Sequence, residues 1–148
     1  MATVQCSTTL DAAPERVFEA FTDLARGPER IQAIKRLEVL TPGPLRVGTR
    51  FRETRLMFGK EATEEFEVTE LEANRLYSTA CDSCGVRFGM RFEFHPEGAG
   101  TRIDMRVDTE PHTFFAKLMS PLSGMMLKSC VKAFEADVAD LRKVCEAR

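Results

Sequence analysis

Glu53 and Arg55 are the charged residues whose spacing in this 148-residue chain most directly suggests chemistry. If Phe51 faces the inside of a sheet, strict alternation places Glu53, Arg55 and Met57 on the same inner face. A carboxylate and a guanidinium on an apolar wall are costly unless they are paired or used. We therefore expect them to form the polar end of a pocket, with Glu53 as a base and Arg55 as an anchor for an anion or a carbonyl. The alternative is a β-bulge that shifts the register and turns both side chains to water.

Other side chains that could take part in chemistry are Tyr77, Cys81, Cys84, His95 and His112. Tyr77 could orient a ligand carbonyl if its hydroxyl points inward, although a half-buried tyrosine at a sheet edge is the commoner arrangement. Cys81 and Cys84 have the Cys-x-x-Cys spacing of metal and redox sites, with His95 as a conceivable third ligand, but the same segment is also typical of a hairpin tip. His112 could be a general base at the mouth of a pocket or an exposed residue at a helix start. No catalytic constellation is recognisable, so we predict no metal and no cofactor, and the sequence leaves open whether a reaction is catalysed.

The elements that would position these groups are clearest in the last sixty residues. Large apolar residues alternate with small or charged ones in two successive segments, which predicts antiparallel strands with one face in the core and one exposed to solvent. The apolar residues are Val86, Phe88, Met90, Phe92 and Phe94, then Ile103, Met105 and Val107 after a turn at 96–100. Residues 113–146 have helical spacing, with Asp137 among the charged residues expected to face away from the core. Pro121 predicts a kink or break near Ser120, so residues 114–119 are expected to form a separate short helix or a lid.

The remaining chain predicts five more strands and two small helices. The strands are expected at 3–10, 37–40, 48–58, 62–71 and 75–81. A helix is expected to begin at Pro14, and a second to run from 28 to 34 with Ile31 and Ile34 inward. Gly59-Lys60 is expected to be a hairpin turn. Because all connections are short, the seven strands are expected to be antiparallel neighbours.

Length and composition narrow the class of protein. One domain spanning 1–148 is expected, because the chain suffices for one core. A formal net charge of -2 gives no electrostatic case for nucleic acid as a partner. No apolar stretch approaches the roughly 20 residues of a membrane span, and no signal peptide is visible. Five cysteines without a disulfide framework predict reduced thiols in a cytoplasmic protein.

Several segments together carry a resemblance to a known family. They are residues 10–18, 38–44, 47–51, 66–71 and 98–102. Through them essentially the whole chain resembles the START-like, helix-grip superfamily, also called SRPBCC, and within it the polyketide cyclase/dehydrase-type branch. Ile31 stands where relatives often have tryptophan, and Glu72-Ala73-Asn74 where they often have Glu-Pro. The resemblance implies an α+β helix-grip fold, in which a seven-stranded curved antiparallel sheet wraps around a long C-terminal helix, with two short helices after the first strand.

The resemblance also implies a cavity between sheet and helix for a small hydrophobic molecule, either lipid-, polyketide- or aromatic-like. The residues expected to bind it are Phe51, Glu53, Arg55, Phe66, Tyr77, Phe88, Met90, Phe92, Met105, Met119 and Met126. Such a methionine-rich wall suits an adaptable pocket. One alternative is a cyclase- or dehydratase-type enzyme in which Glu53 or His112 moves a proton, marked by a buried acid–base pair with perturbed pKa. The other is a protein-binding module of the Hsp90-activator kind, marked by an exposed apolar patch and a collapsed cavity. Self-association into a homodimer is compatible with the sequence.

Overall fold

Seven strands and four helices make up the fold in a computed structural model that describes residues 2–57, 59–118 and 123–147. The strands are β1 (Ala2–Leu10), β2 (Ile34–Val39), β3 (Arg50–Met57), β4 (Lys60–Glu72), β5 (Leu76–Ser83), β6 (Val86–Glu97) and β7 (Gly100–Pro111). The helices are α1 (Pro14–Thr22), α2 (Gly27–Arg30), α3 (Phe114–Leu118) and α4 (Ser123–Cys145), with a 3₁₀ turn at Leu24–Arg26. The predicted fold class is confirmed.

The strands form one antiparallel sheet in the order β1-β7-β6-β5-β4-β3-β2. From β2 to β7, each strand pairs with its neighbour in sequence, as short connections predict. The first strand instead pairs with the last, with Val4 opposite Val107 and Leu10 opposite Thr101. This pairing brings the N-terminal strand beneath the C-terminal helix, where both contribute to the core.

The second small helix is shorter than the sequence predicted. It ends at Arg30, and the backbone of Ile31 is already extended, although its N–H still donates to the carbonyl of Gly27. Ile34, predicted as helical, is instead the first residue of β2 and pairs with Arg55. Both isoleucines still face inward, because an extended segment and a helix can present the same apolar residues to one core.

Two predicted hairpin turns are also shorter than expected. β6 continues through Pro96, which pairs with Thr101, and only Gly98 and Ala99 form the turn. Gly98 has a φ of +59°, a conformation that costs glycine little. Lys60, predicted as a turn residue, is the first residue of β4 and pairs with Met57, while Phe58 lies outside the described residues.

The core lies between the sheet and helices α1 and α4. Val138 and Leu141 of α4 are buried in the same cluster as Leu10 and Ile103 of the sheet. Phe18 and Phe21 of α1 contact Phe94 edge-on, with ring centroids 5.3 and 5.5 Å apart. α4 lies against β1, β7, α1 and α2, so one end of the sheet is closed by direct packing.

Helices α3 and α4 bound the segment in which the sequence predicted a break. The separate short helix is present, whereas Ser120 and Pro121 lie outside the described residues. Phe114, Leu118 and Met125 of these helices are exposed. Within the described ranges, no helix is long and apolar enough to cross a membrane.

Candidate functional site

A cavity of about 310 Å³ lies between the inner face of the sheet, the α1–α2 region and α4. Its wall is mostly apolar, as is usual for small-molecule sites. Nine residues that the sequence predicted for the pocket line it: Phe51, Glu53, Arg55, Phe66, Tyr77, Phe88, Met90, Phe92 and Met105. The other two, Met119 and the side chain of Met126, lie outside the described residues. The structure thus places the nine on the wall, and their role in binding stays a prediction.

Stacked aromatic rings form much of the wall. Phe51 and Phe66 stack across β3 and β4 with centroids 5.2 Å apart. The ring centroid of Phe92 lies 6.0 Å from that of Phe134 of α4 and 6.1 Å from that of Tyr77, and the three rings are stacked. Offset ring pairs of this kind add stability beyond their buried area. Ring contacts within the sheet and with α4 therefore hold the aromatic side chains of the wall in place.

Three charged side chains form a cluster on the cavity wall. Arg55 donates through Nε to Glu53 over 2.9 Å. Its two terminal nitrogens each donate to one carboxylate oxygen of Asp137, both over 2.9 Å. About a fifth or less of each side chain is exposed, so the three groups interact with little screening from water. We name Glu53, Arg55 and Asp137 the charged cluster.

Asp137 is the member of the cluster that the sequence prediction placed wrongly. A charged residue on an amphipathic helix was assigned to the polar side, yet the side chain of Asp137 faces the cavity. Its helical spacing could have indicated this position. Asp137 lies three residues after Phe134 and four residues before Leu141, and both of these residues are on the buried face. An inward arginine on β3 needs a partner, and this aspartate is within reach.

Burial and the neighbouring charges shift the pKa values of Asp137 and Arg55 in the charged cluster. Burial raises the pKa of Asp137, and the negative charges of Glu53 and Asp140 add to the rise, although the hydrogen bonds and charge of Arg55 act against it. Burial opposes the charged form of Arg55, but the hydrogen bonds and charges of Asp137 and Glu53 outweigh it and raise its pKa. Asp137 therefore takes up a proton at a higher pH than an ordinary aspartate does.

Tyr77 lies on an interior strand with its ring against the cavity, and only 4% of it is exposed. The edge position that we considered commoner for a tyrosine is therefore wrong. Burial, together with the charge of Glu53, raises the pKa of Tyr77, so its hydroxyl stays protonated. Among the described residues this hydroxyl has no hydrogen-bond partner, which leaves it able to bind a ligand.

Three residues that follow Tyr77 on β5 also line the cavity, although the sequence did not predict them there. Thr79, Cys81 and Ser83 continue the period of two that begins at Tyr77. The alternation is hidden because the intervening Ser78 and Ala80 are buried as well. Ser78 is accommodated by donating to the Glu70 carboxylate on the other face.

Cys81 and Cys84 lie in different surroundings. Cys81 faces the cavity, where burial and the charge of Glu64 raise its pKa to about 12, whereas Cys84 is exposed at the β5–β6 hairpin. His95, considered as a third ligand, lies at the opposite end of β6, opposite Arg102, and contacts Glu93 and Asp104. The described ranges contain no group of three metal-ligating side chains.

His112 lies outside the cavity. Its side chain is half exposed, and Nε2 is 3.7 Å from the Asp82 carboxylate at the β5–β6 hairpin. Because it is absent from the cavity wall, it cannot contact a molecule bound there without a rearrangement. Of the proton-transfer residues that the sequence suggested, only Glu53 faces the cavity.

Comparisons with known proteins agree with this architecture. A family model described as polyketide cyclase / dehydrase and lipid transport matches residues 1–146. A Thermus thermophilus protein, TTHA0849, is 23% identical with a TM-score of 0.77, over 99% of this chain and 98% of that one. Major latex-like protein 151 of Panax ginseng is 12% identical with a TM-score of 0.80, over 97% of each chain.

A third solved structure is larger than this chain. The di-domain ARO/CYC BexL from the BE-7585A biosynthetic pathway is 12% identical with a TM-score of 0.79, over 97% of this chain and 47% of that one. At these identities the structural matches show a shared fold alone. No curated protein matches the chain in sequence.

Proposed function

Because this chain belongs to the polyketide cyclase / dehydrase and lipid transport family, we propose that it binds one small hydrophobic molecule in the cavity between sheet and α4. The observation that supports this most strongly is the cavity itself, about 310 Å³ with a wall of aromatic and methionine side chains. Burial of apolar ligand surface would supply affinity at roughly 25 cal/mol per Å². The charged cluster and Tyr77 would orient the ligand.

Cavity filling tests this proposal. Ala133 of α4 lines the cavity, whereas Ala136 is exposed on the same helix. The neutral fluorophore N-phenyl-1-naphthylamine should bind with one-to-one stoichiometry and gain fluorescence. Ala133→Phe should weaken its binding at least ~10-fold because the new ring occupies the ligand's space, and Ala136→Phe should leave it unchanged. Equal binding by both variants would place the probe elsewhere and refute the proposal.

A second candidate function is proton transfer on a bound substrate, favoured by the raised pKa of Asp137 on the cavity wall. A carboxylate with a raised pKa is a better base at neutral pH, and the buried Tyr77 hydroxyl could polarise a carbonyl. The test is exchange of the α-protons of 2-tetralone in D₂O, followed by mass spectrometry. A C–H proton would pass to Asp137 and solvent would return a deuteron. Acceleration over buffer that is lost in Asp137→Asn, but kept in the exposed-site variant Glu135→Gln, supports this function, and no acceleration rules it out for this substrate.

The protein-binding alternative meets only one of its two expected conditions. Phe114 is 83% exposed and Leu118 is 65% exposed, which provides apolar surface. The cavity, however, is not collapsed. Binding of a small molecule accounts for the cavity and remains the function that we propose first.

A further inference from the structure

We infer that the cavity selects by charge: it accepts uncharged or cationic hydrophobic ligands that carry a hydrogen-bond donor, and it rejects carboxylates of the same shape. This inference rests on the proposed binding function and specifies its ligand class. It reverses the expectation that Arg55 anchors an anion.

The first reason is that Arg55 is already occupied. A guanidinium binds a carboxylate best through a pair of N–H groups, either the two terminal nitrogens or Nε with one of them. Asp137 takes the terminal pair over 2.9 Å, and Glu53 takes Nε over 2.9 Å. An anionic ligand would have to displace one of these carboxylates, and the displaced group would then lie unpaired on an apolar wall.

The second reason is the balance of charge around the cavity. Among the described residues of the wall, carboxylates outnumber guanidinium groups four to two: Asp23, Glu53, Glu64 and Asp137 against Arg30 and Arg55. A ligand carboxylate beside the charged cluster would add a fifth negative charge, and water would screen it little because about a fifth or less of each cluster side chain is exposed. A hydroxyl or an ammonium group could instead donate to a carboxylate oxygen of the cluster.

Arg30 is the second guanidinium group among the described residues that line the cavity. It lies 3.5 Å from Glu19 and 4.0 Å from Asp23, so its charge is already balanced. Its Nη1 atom is buried and has no hydrogen-bond partner among the described residues. Because this nitrogen is buried, an anion in the cavity would not reach it without a rearrangement.

Three ligands that share the naphthalene ring test the inference at pH 7.5: 2-naphthol, 2-naphthoate and 2-naphthylmethylamine. Each is titrated against protein loaded with N-phenyl-1-naphthylamine. We expect 2-naphthol and the amine to displace the probe, and 2-naphthoate to bind at least ~30-fold more weakly than 2-naphthol because of like-charge repulsion. The comparison uses the unaltered protein, so it does not depend on the folding of any variant.

Two variants show whether the charged cluster is the cause. Asp137→Asn removes one negative charge from the cavity, and Glu135→Gln removes one from the exposed side of the same helix. The naphthol-to-naphthoate ratio should fall at least ~5-fold in Asp137→Asn and stay unchanged in Glu135→Gln. Equal affinity for naphthol and naphthoate would overturn charge selection while leaving the binding function intact. Failure of all three ligands and of the probe to bind would instead refute the binding function.

Discussion

Arg55 of β3 and Asp137 of α4 are joined by two parallel hydrogen bonds of 2.9 Å across the cavity. The residues are 82 positions apart in sequence, so the pair fixes the distance between sheet and helix as well as the chemistry of the wall. Removing one partner leaves the other poorly solvated, which destabilises a protein more than the net strength of the pair suggests.

Arg55→Met should lower the free energy of unfolding by about 2–4 kcal/mol, because two carboxylates then face each other on an apolar wall. The control is Arg52→Met on the outer face of the same strand. Its partners, Glu38 at 3.4 Å and Glu65 at 3.9 Å, are both exposed, so the loss should stay below about 1 kcal/mol. Urea unfolding measures both. Equal losses would show that the charged cluster has no special role in stability.

The raised pKa of Asp137 predicts how stability changes with pH. Its pKa in the folded protein lies above the ordinary value of 3.8, so the folded state holds a proton over a window where the unfolded state has lost it. The contribution of Asp137 is therefore fully present below pH 3.8 and is lost as pH rises through the folded pKa. The stability of the unaltered protein relative to Asp137→Asn should fall across this window. A rise, as for an ordinary ion-paired aspartate, would contradict the assigned direction.

The pKa of Cys81, about 12, predicts slow alkylation. At pH 8 about one molecule in 10⁴ carries the thiolate that reacts. Iodoacetamide followed by peptide mass mapping should therefore modify the exposed Cys84 long before Cys81. Bound N-phenyl-1-naphthylamine should slow the alkylation of Cys81 further and leave that of Cys84 unaffected, since Cys81 faces the cavity and Cys84 does not. Equal rates for the two thiols would mean that the cavity is open to water.

Tyr77→Phe should separate the contribution of the Tyr77 hydroxyl to ligand binding from that of the ring's shape. The variant should bind 2-naphthol about 3- to 10-fold more weakly, because it loses one hydrogen bond of ordinary net strength. Binding of 2-methylnaphthalene, which has the same shape without the hydroxyl, should change little. Equal weakening for both ligands would mean that Tyr77 acts through packing alone.

The sequence predicts this fold well because the fold depends on patterns. Phe88, Met90 and Phe92 can lie on one face only in an extended strand, and the helical spacing of Phe134, Val138 and Leu141 requires a partner surface. The same logic placed Glu53 and Arg55 on the inner face once Phe51 was assumed to be buried. The ends of turns were less predictable from sequence. Pro96, which was predicted to lie in a turn, pairs with Thr101 at the end of β6.

Asp137 shows why the site could not be completed from sequence. Helical spacing places position 137 on the buried face, but a charge is expected to face water unless a partner is known, and the partner Arg55 comes from a distant strand. Such compensation depends on tertiary contact rather than local pattern. The proposed charge preference of the cavity depends on the pairing of Arg55 with Asp137, so it could not be predicted before this pairing was known.

Native mass spectrometry of the protein, before and after exposure to a lipid and metabolite extract, tests the central claim most directly. A single added mass at one-to-one stoichiometry is expected, retained in Ala136→Phe and lost in Ala133→Phe. A bare protein throughout, or the same added mass on both variants, would contradict ligand binding in the cavity between the sheet and α4.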